Sequence, residues 1–352
     1  MKYPLSILLI GISYLTACSS SPDSHFPRYS DFPKTKALSA QVINLDTILF
    51  RYPFRVAVRD SIAVVMDLHN MDHYLHAFTY PEWKHIASFG RRGEAPQEML
   101  SAISIQFNSL DSLWAIDANK MEITRWKISP STRSAERVEE IKLDKELVRS
   151  LDFHTMESGF FIPDYMGEFR YWEVDSNGKP VKSIGEIPGE TIDENTVRPA
   201  LAQAWRSFMD YNPDNGILAI ATQLGEVFEI FNLKDNTHKV LYGPAGEPQY
   251  KTAKDGTGVP TGIMGFSDIK VTSKYIYAVF QGIKFDDKIA AIKQGKEPEN
   301  GAKYIYVFDL EGNPVRRYEL DRRINSIDIN EETNTIVATE AKSDDPIIEF
   351  KI

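Results

Sequence analysis

Short apolar runs that end near a polar residue recur along the whole chain. Each follows a stretch in which apolar and polar residues mostly alternate, a pattern typical of a strand with one exposed side. We interpret the runs as the second strands of a repeated unit: SIAVVMD (61–67), SLWAID (112–117), SGFFIPD (158–164), NGILAIA (215–221), KYIYAVF (274–280) and TNTIVATE (333–340).

Each run is followed by a third strand-like stretch, and turn signals such as Asn177-Gly178 and Gly312-Asn313 introduce a fourth. Asn and Gly tolerate the positive φ that tight hairpin turns require. Four strands repeated about every 50 residues is the spacing of propeller blades. We therefore predict an all-β fold, a six-bladed β-propeller with four antiparallel strands per blade. A two-domain β-sandwich is the alternative.

The two ends of the repeat region complement each other. The sixth unit has three strands when the chain stops, and a surplus strand, QVINLDTILF (41–50), precedes the first unit. Pairing this strand with IIEFKI (347–352) would close the ring and leave no blade with an unprotected edge. We therefore assign residues 41–352 to the propeller, with its N-terminal strand closing the last blade.

The N-terminus indicates export. Lys2 precedes an apolar stretch that is too short and interrupted to span a membrane, and the stretch leads to Leu15-Thr16-Ala17-Cys18, which resembles a bacterial lipobox. We predict a signal peptide over 1–17, a lipid attached to Cys18, and a flexible tether over 18–40 that is rich in Ser and Pro. Ser19 is not an aspartate, so nothing suggests inner-membrane retention, and we expect the outer membrane.

Charge and cysteine content narrow the classes of partner. The formal net charge is −10, which argues against binding a nucleic-acid backbone. Cys18 is the single cysteine, so no disulfide can form within the chain.

Three long irregular segments would lie on one face of such a propeller: 186–205, 243–265 and 281–303. Loops longer than about 12 to 15 residues are uncommon unless they are functional or disordered. We expect either a built-up binding surface or tolerated surface insertions. Trp205 ends the first segment and is the tryptophan that we expect to be exposed.

The junction FGRRGEAPQEM (89–99) joins two predicted blades. Gly90 and Gly93 would let the chain turn from the rim to the axis, and Met99 or Leu100 would plug between blades. Without Gly-Lys-Ser/Thr and a following helix, the junction is not a phosphate-binding loop. Its charged residues could still face a ligand. The candidate ligand-face residues are Arg91, Arg92, Glu94, Arg198, Trp205, Arg206 and Lys251.

With its lipobox, this junction and the blade pattern, the chain resembles the six-bladed propeller lipoproteins of Bacteroidetes, which are related to NHL and TolB-like propellers. The junction departs from the family pattern at Ala95, Gln97 and Met99. The resemblance covers nearly the whole chain. It implies the fold and the location, but it does not specify an activity.

Aspartates supply a second candidate chemistry. Asp67, Asp117 and Asp164 end successive second strands, and could either hold a cation such as Ca²⁺ or cap turns. The predicted inner strands add Asp152, Asp210, Asp268 and Asp328. No cofactor is expected, although Ca²⁺ or another divalent ion could bind at such carboxylates.

These observations favour a membrane-tethered, non-catalytic binding or scaffold propeller of the cell envelope. Its ligand, a protein, peptide or glycan, would bind on the face with the long loops. The alternative is a metal-dependent propeller lyase or hydrolase with an axial acidic site, which predicts inward-facing carboxylates from several blades meeting at one point.

Overall fold

The computed structural model describes residues 26–45, 48–109, 111–340 and 342–352. The predicted signal peptide and Cys18 lie outside these residues. The described chain forms six blades around a common axis, of which the last two are joined in one eight-stranded sheet. Two short strands precede the first sheet, β1 (Thr35–Leu38) and β2 (Gln41–Ile43).

The first three blades are four-stranded antiparallel sheets, numbered from the axis outward. Blade 1 contains β3 (Pro53–Arg59), β4 (Ile62–Asp67), β5 (His73–Thr79) and β6 (His85–Arg91). Blade 2 contains β7 (Ala102–Ser109), β8 (Ser112–Asp117), β9 (Glu122–Ser129) and β10 (Ser134–Lys142). After a 3₁₀ turn at Lys145–Leu147, blade 3 contains β11 (His154–Met156), β12 (Gly159–Pro163), β13 (Tyr171–Asp175) and β14 (Pro180–Ile184).

Helix α1 (Arg198–Ala204) lies between blades 3 and 4. Blade 4 contains β15 (Ser207–Asn212), β16 (Ile217–Thr222), β17 (Val227–Asn232) and β18 (Thr237–Tyr242). A small hairpin then follows, formed by β19 (Tyr250–Thr252) and β20 (Gly258–Pro260).

The last two blades share one long strand. The remaining elements are β21 (Ile263–Val271), β22 (Tyr275–Lys284), α2 (Phe285–Lys293), β23 (Ala302–Asp309), β24 (Pro314–Asn330), β25 (Thr335–Glu340) and β26 (Ile347–Lys351). The first half of β24 pairs with β23 as the outer strand of blade 5, and the second half pairs with β25 as the inner strand of blade 6.

The predicted ring closure is confirmed. Strand β2 pairs antiparallel with β26, with Gln41 opposite Glu349 and Ile43 opposite Ile347. It supplies the fourth strand of blade 6, and the six-bladed propeller is complete.

The hydrophobic core is divided into layers between neighbouring blades. One cluster contains β4 and β5 side chains of blade 1 and β7 and β8 side chains of blade 2, and similar clusters separate each following pair, including blades 6 and 1. A second strand is therefore covered on both sides, and β4, β8, β16 and β25 are buried at every residue. This is why the sequence shows continuous apolar runs at these positions.

Residues 26–43 wrap the outside of three blades. The Tyr29 N–H donates to the carbonyl of Tyr242 at the end of β18 (2.9 Å), and β1 pairs in parallel with the outer half of β24. Between these contacts, Tyr29 and Phe32 pack against Phe308 with ring centroids 5.2 and 5.4 Å away. Residues 26–40, which the sequence analysis assigned to a flexible tether, are thus part of the folded domain.

Candidate functional site

The connections between blades define two different ends of the propeller. We call one end the long-loop face, because it carries the outer-to-inner crossings between blades and the connections between second and third strands. The opposite end, the hairpin face, carries the short turns between first and second strands and between third and fourth strands.

The three predicted long segments meet on the long-loop face. The first contains α1, the second contains the β19–β20 hairpin, and the third contains α2. The Gly258 N–H donates to the side-chain oxygen of Gln203 (2.8 Å), and the Phe285 N–H donates to the carbonyl of Gly262 (3.1 Å). All three segments border one cleft of about 230 Å³, and the first two enclose a shallower cavity of about 630 Å³.

Exposed apolar side chains concentrate on this face. Three of the large apolar side chains exposed in the described chain lie on outermost strands: Val42, Val138 and Val181. The other eight lie in connections of the long-loop face: Leu49, Met71, Leu100, Met166, Val197, Val259, Ile289 and Ile292. They lie in the connections of different blades, with Ile289 and Ile292 together on α2, so this end of the propeller exposes more large apolar side chains than the opposite end. An apolar end favours that end as the interaction surface.

Four of the predicted ligand-face residues lie exposed on this face: Arg91, Glu94, Arg198 and Lys251. The Arg91 side chain is 74% exposed and lies 3.5 Å from Glu98. Arg206 is half-buried, lines the 230 Å³ cleft, and has a buried Nε without a hydrogen-bond partner.

The prediction that Trp205 is exposed was wrong. Its side chain is 3% exposed and packs beneath α1 against Leu201, Val240 and Tyr242. The Trp205 N–H donates to the Leu201 carbonyl at the end of α1 (2.9 Å), which folds the indole under the helix. Trp205 supports the face and does not form part of its surface.

Arg92 also has a structural role. Its Nε donates to the carbonyl of Asn70 (2.9 Å), its Nη2 donates to that of Leu68 (2.5 Å), and its guanidinium lies 4.1 Å from the Tyr74 ring centroid. These contacts tie the 89–99 junction to the neighbouring connection of blade 1. Met99 is fully buried in the layer between blades 1 and 2, so it is the predicted plug.

A buried ion pair lies beneath the long-loop face. Arg170 is 2% exposed, and its Nε donates to Glu229 Oε1 (2.7 Å). Its other two nitrogens donate to Ser207 Oγ (2.8 Å) and to the Trp205 carbonyl (3.3 Å). One arginine thus fixes blade 3, the end of the first long segment and blade 4 relative to one another.

The central channel is blocked near the long-loop face by Arg55. This blade 1 side chain crosses the axis and donates to the carbonyl of Ser267 in blade 5 (2.9 Å). Its guanidinium lies 4.3 Å from the Phe54 ring centroid and 4.7 Å from that of Phe208 in blade 4. On the other side of this plug, a cavity of about 610 Å³ opens to the hairpin face.

The four predicted axial aspartates join adjacent blades. Each accepts a backbone N–H from the inner strand of the next blade, which would otherwise lack a strand partner. The pairs are Asp152 with Met209 (2.9 Å), Asp210 with Val271 (2.7 Å), Asp268 with Ile327 (2.9 Å) and Asp328 with Val58 (2.6 Å).

The second-strand aspartates cap turns. Both carboxylate oxygens of Asp67 accept backbone N–H groups, including those of Arg51 (2.7 Å) and Tyr52 (2.8 Å). Asp117 and Asp164 accept four N–H groups each. Within the described ranges, no three side chains of His, Cys, Asp or Glu are grouped so that they could hold a metal ion.

Side chains of opposite charge lie next to one another where the axial cavity meets Arg55. Burial raises the pKa of Asp328 to about 6, against the opposing effect of Lys270. Burial also acts to raise the pKa of Asp210, but Lys270 and His154, whose Nε2 lies 3.3 Å away, outweigh it and lower that pKa. The carboxylates of Asp268, Asp210 and Asp328 outweigh burial and raise the pKa of Lys270. The cavity therefore suits polar, hydrated groups.

Two of these charged residues, Arg55 and Lys270, were not predicted, although the sequence signals each of them. Arg55 interrupts the apolar strand FRVAV. In SDIKV, Lys270 follows Asp268 by two residues, so Asp268 and Lys270 lie on the same side of the strand.

None of the helices in the described part of the chain is long and apolar enough to cross a membrane.

A family model, described as TolB-like 6-blade propeller-like, matches residues 31–332. No curated protein matches the sequence. Among solved structures, the chain is similar to the BF0058 protein of Bacteroides fragilis NCTC 9343, which is described as an exported protein. The two share 12% sequence identity with a TM-score of 0.58, and the match covers 92% of this chain and 98% of that one. A DUF4221-family member from Bacteroides vulgatus ATCC 8482 has 9% identity and a TM-score of 0.56, over 90% and 96%. At such identities, the likeness concerns the fold.

Proposed function

The chain belongs to the TolB-like six-blade propeller family, and we propose that it is a lipid-tethered, non-catalytic binding propeller of the bacterial cell envelope. The proposal assigns the anchor to Cys18 and the binding surface to the long-loop face. Similarity to an exported Bacteroides protein supports the location.

The exposed apolar residues of the long-loop face carry the proposal. Eight side chains that cost free energy in water lie on the face that also holds the three long segments. The blades beneath are held together by the inner-strand aspartates and by the Arg170–Glu229 pair. The surface is therefore preorganised, which reduces the entropy lost when a protein, peptide or glycan binds.

Site-specific photo-crosslinking in the envelope tests the binding surface. A benzophenone amino acid replaces Met71, which is 64% exposed on the long-loop face at blade 1, or Val181, which is 67% exposed on an outermost strand, as the matched control. We expect discrete protein or glycan adducts from position 71 and none from position 181. Equal adduct patterns from the two positions would contradict the proposal.

The anchor is tested separately. Mass spectrometry of the mature N-terminus should find a lipid on Cys18, and Cys18→Ser should move the protein from the membrane fraction to the soluble fraction. An unmodified Cys18 in a membrane-free protein would refute the tether while leaving the binding surface open to its own test.

A further inference from the structure

Helix α2 carries two isoleucines that stay exposed in the described chain. None of its residues is buried, and Ile289 and Ile292, three positions apart on one side of the helix, are 46% and 62% exposed. A surface helix of a globular protein normally turns such residues toward the core. The two isoleucines therefore remain available for contact with another surface.

Four lysines lie in and next to α2. The segment 284–296 contains two aspartates, both in the first turn of α2, and four lysines: Lys284, Lys288, Lys293 and Lys296. The segment is thus positive in a protein whose net charge is −10, and Glu297 and Glu299, which follow it, line a cavity with Lys288 and Lys296. Lys284 and Lys293 are exposed and lie outside that cavity. Lysines that flank aliphatic residues on a short amphipathic helix are typical of helices that lie in the interface of an anionic bilayer.

The N-terminal end of the described chain lies at the long-loop end of blade 4. The Phe26 ring lies 5.4 Å from that of Tyr242, which ends β18 at the long-loop face. Phe26 packs against the same apolar cluster as Tyr250, and Tyr250 and Phe285, the first residue of α2, line the same cleft. The described chain therefore begins at the long-loop end of blade 4, the neighbour of the blade that carries α2.

The tether to Cys18 is short. Eight residue steps separate Cys18 from Phe26, and an extended chain covers at most about 29 Å in that number of steps. The tether therefore holds the long-loop end of blade 4 within about 29 Å of a bilayer that carries the lipid of Cys18. Helix α2 lies on the same face in the next blade, so it is placed to contact that bilayer.

We propose that α2 is a membrane-contact element: Ile289 and Ile292 enter the headgroup region of the bilayer, and the exposed lysines Lys284 and Lys293 bind the phosphates of anionic lipids. This inference rests on the lipid anchor in the proposed function. It orients the molecule with the blade 4 and blade 5 side of the long-loop face on the membrane and the axial cavity directed away from it.

Hydrogen–deuterium exchange of the lipid-modified protein in vesicles of phosphatidylethanolamine and phosphatidylglycerol tests the contact. Relative to the protein in detergent, we expect slower exchange in the peptide covering 285–296. The turn at 130–133 on the hairpin face should exchange unchanged. The double variant Ile289→Ser and Ile292→Ser should lose the protection, whereas Val138→Ser and Val181→Ser on outermost strands should keep it.

Unchanged exchange over 285–296 in vesicle-bound protein would overturn the proposal. Protection that appears only when envelope membrane proteins are added would also overturn it, since α2 would then bind a protein. If cells do not acylate Cys18, the lipid anchor of the proposed function is refuted. Coupling this single cysteine to a maleimide phospholipid then attaches the protein to the vesicle at the same residue. The exchange experiment on the coupled protein tests the α2 contact independently of natural acylation.

Discussion

Replacing Arg170 by methionine should destabilise the propeller by about 3 kcal/mol. The substitution leaves the carboxylate of Glu229, which is 0% exposed, without its arginine partner. Removing one member of a buried ion pair costs about 3 to 5 kcal/mol, since the remaining charge stays desolvated. We expect the low end of that range because His238 Nε2, 3.1 Å from Glu229 Oε2, still faces the carboxylate. Ser207 Oγ also keeps its bond to the Trp205 carbonyl (2.8 Å).

Urea unfolding followed by tryptophan fluorescence measures this cost. The Arg170 guanidinium lies 5.5 Å from the Trp205 ring centroid, so the signal reports on the affected region. At an m-value of about 3 kcal/mol/M, the midpoint should fall by about 1 M.

The double variant Arg170→Met and Glu229→Gln is the control for the charge argument. It removes both charges, so it should recover most of the stability lost by the single change. A single variant that loses less than about 1 kcal/mol, or a double variant that is no more stable than the single one, would refute the reasoning.

Two further predictions concern stability. Burial lowers the pKa of His76 to about 4, so the unfolded chain binds the proton before the folded protein does as the pH falls below about 6.5. From pH 7.5 to pH 5, the free energy of unfolding of the wild type should therefore fall by about 2 kcal/mol relative to that of His76→Gln. A difference between the two proteins that stays constant over this pH range would contradict the lowered pKa. Gly90→Ala should cost more than Gly295→Ala in thermal unfolding: both positions have positive φ, but a Cβ at Gly90 would lie 2.9 Å from the buried Met99 sulfur, whereas one at Gly295 meets nothing within 4 Å. Equal losses would show that Met99 moves freely.

The parts of the fold that repeat were predictable from the sequence. The second strands are buried on both sides, so their apolar runs are continuous, and β8 begins and ends where the run SLWAID does. The closing strand was predictable because one extra strand precedes the first blade and the last blade lacks its fourth strand. Both inferences depend on local patterns that recur six times.

The parts that occur once were harder to predict. The burial of Trp205 depends on how α1 folds over blade 4, which no local pattern specifies. Residues 26–40 have the Ser and Pro content of a linker, yet Phe26, Tyr29 and Phe32 recur at intervals of three and pack against blades 4 and 5. The site aspartates were identified by position, but their hydrogen bonds to the next blade required the structure.

The pairing of β2 with β26 also governs when the native ring can form. Gln41 lies opposite Glu349, so the contact joins two segments that are far apart in the sequence. Contacts of such high sequence separation slow folding, because the entropy of closing a long loop is lost before the contact is gained. Synthesis proceeds from the N-terminus, so β26 is made after every other strand of the ring. Until then blade 6 lacks its third strand, and β2 has no partner with which to close the ring.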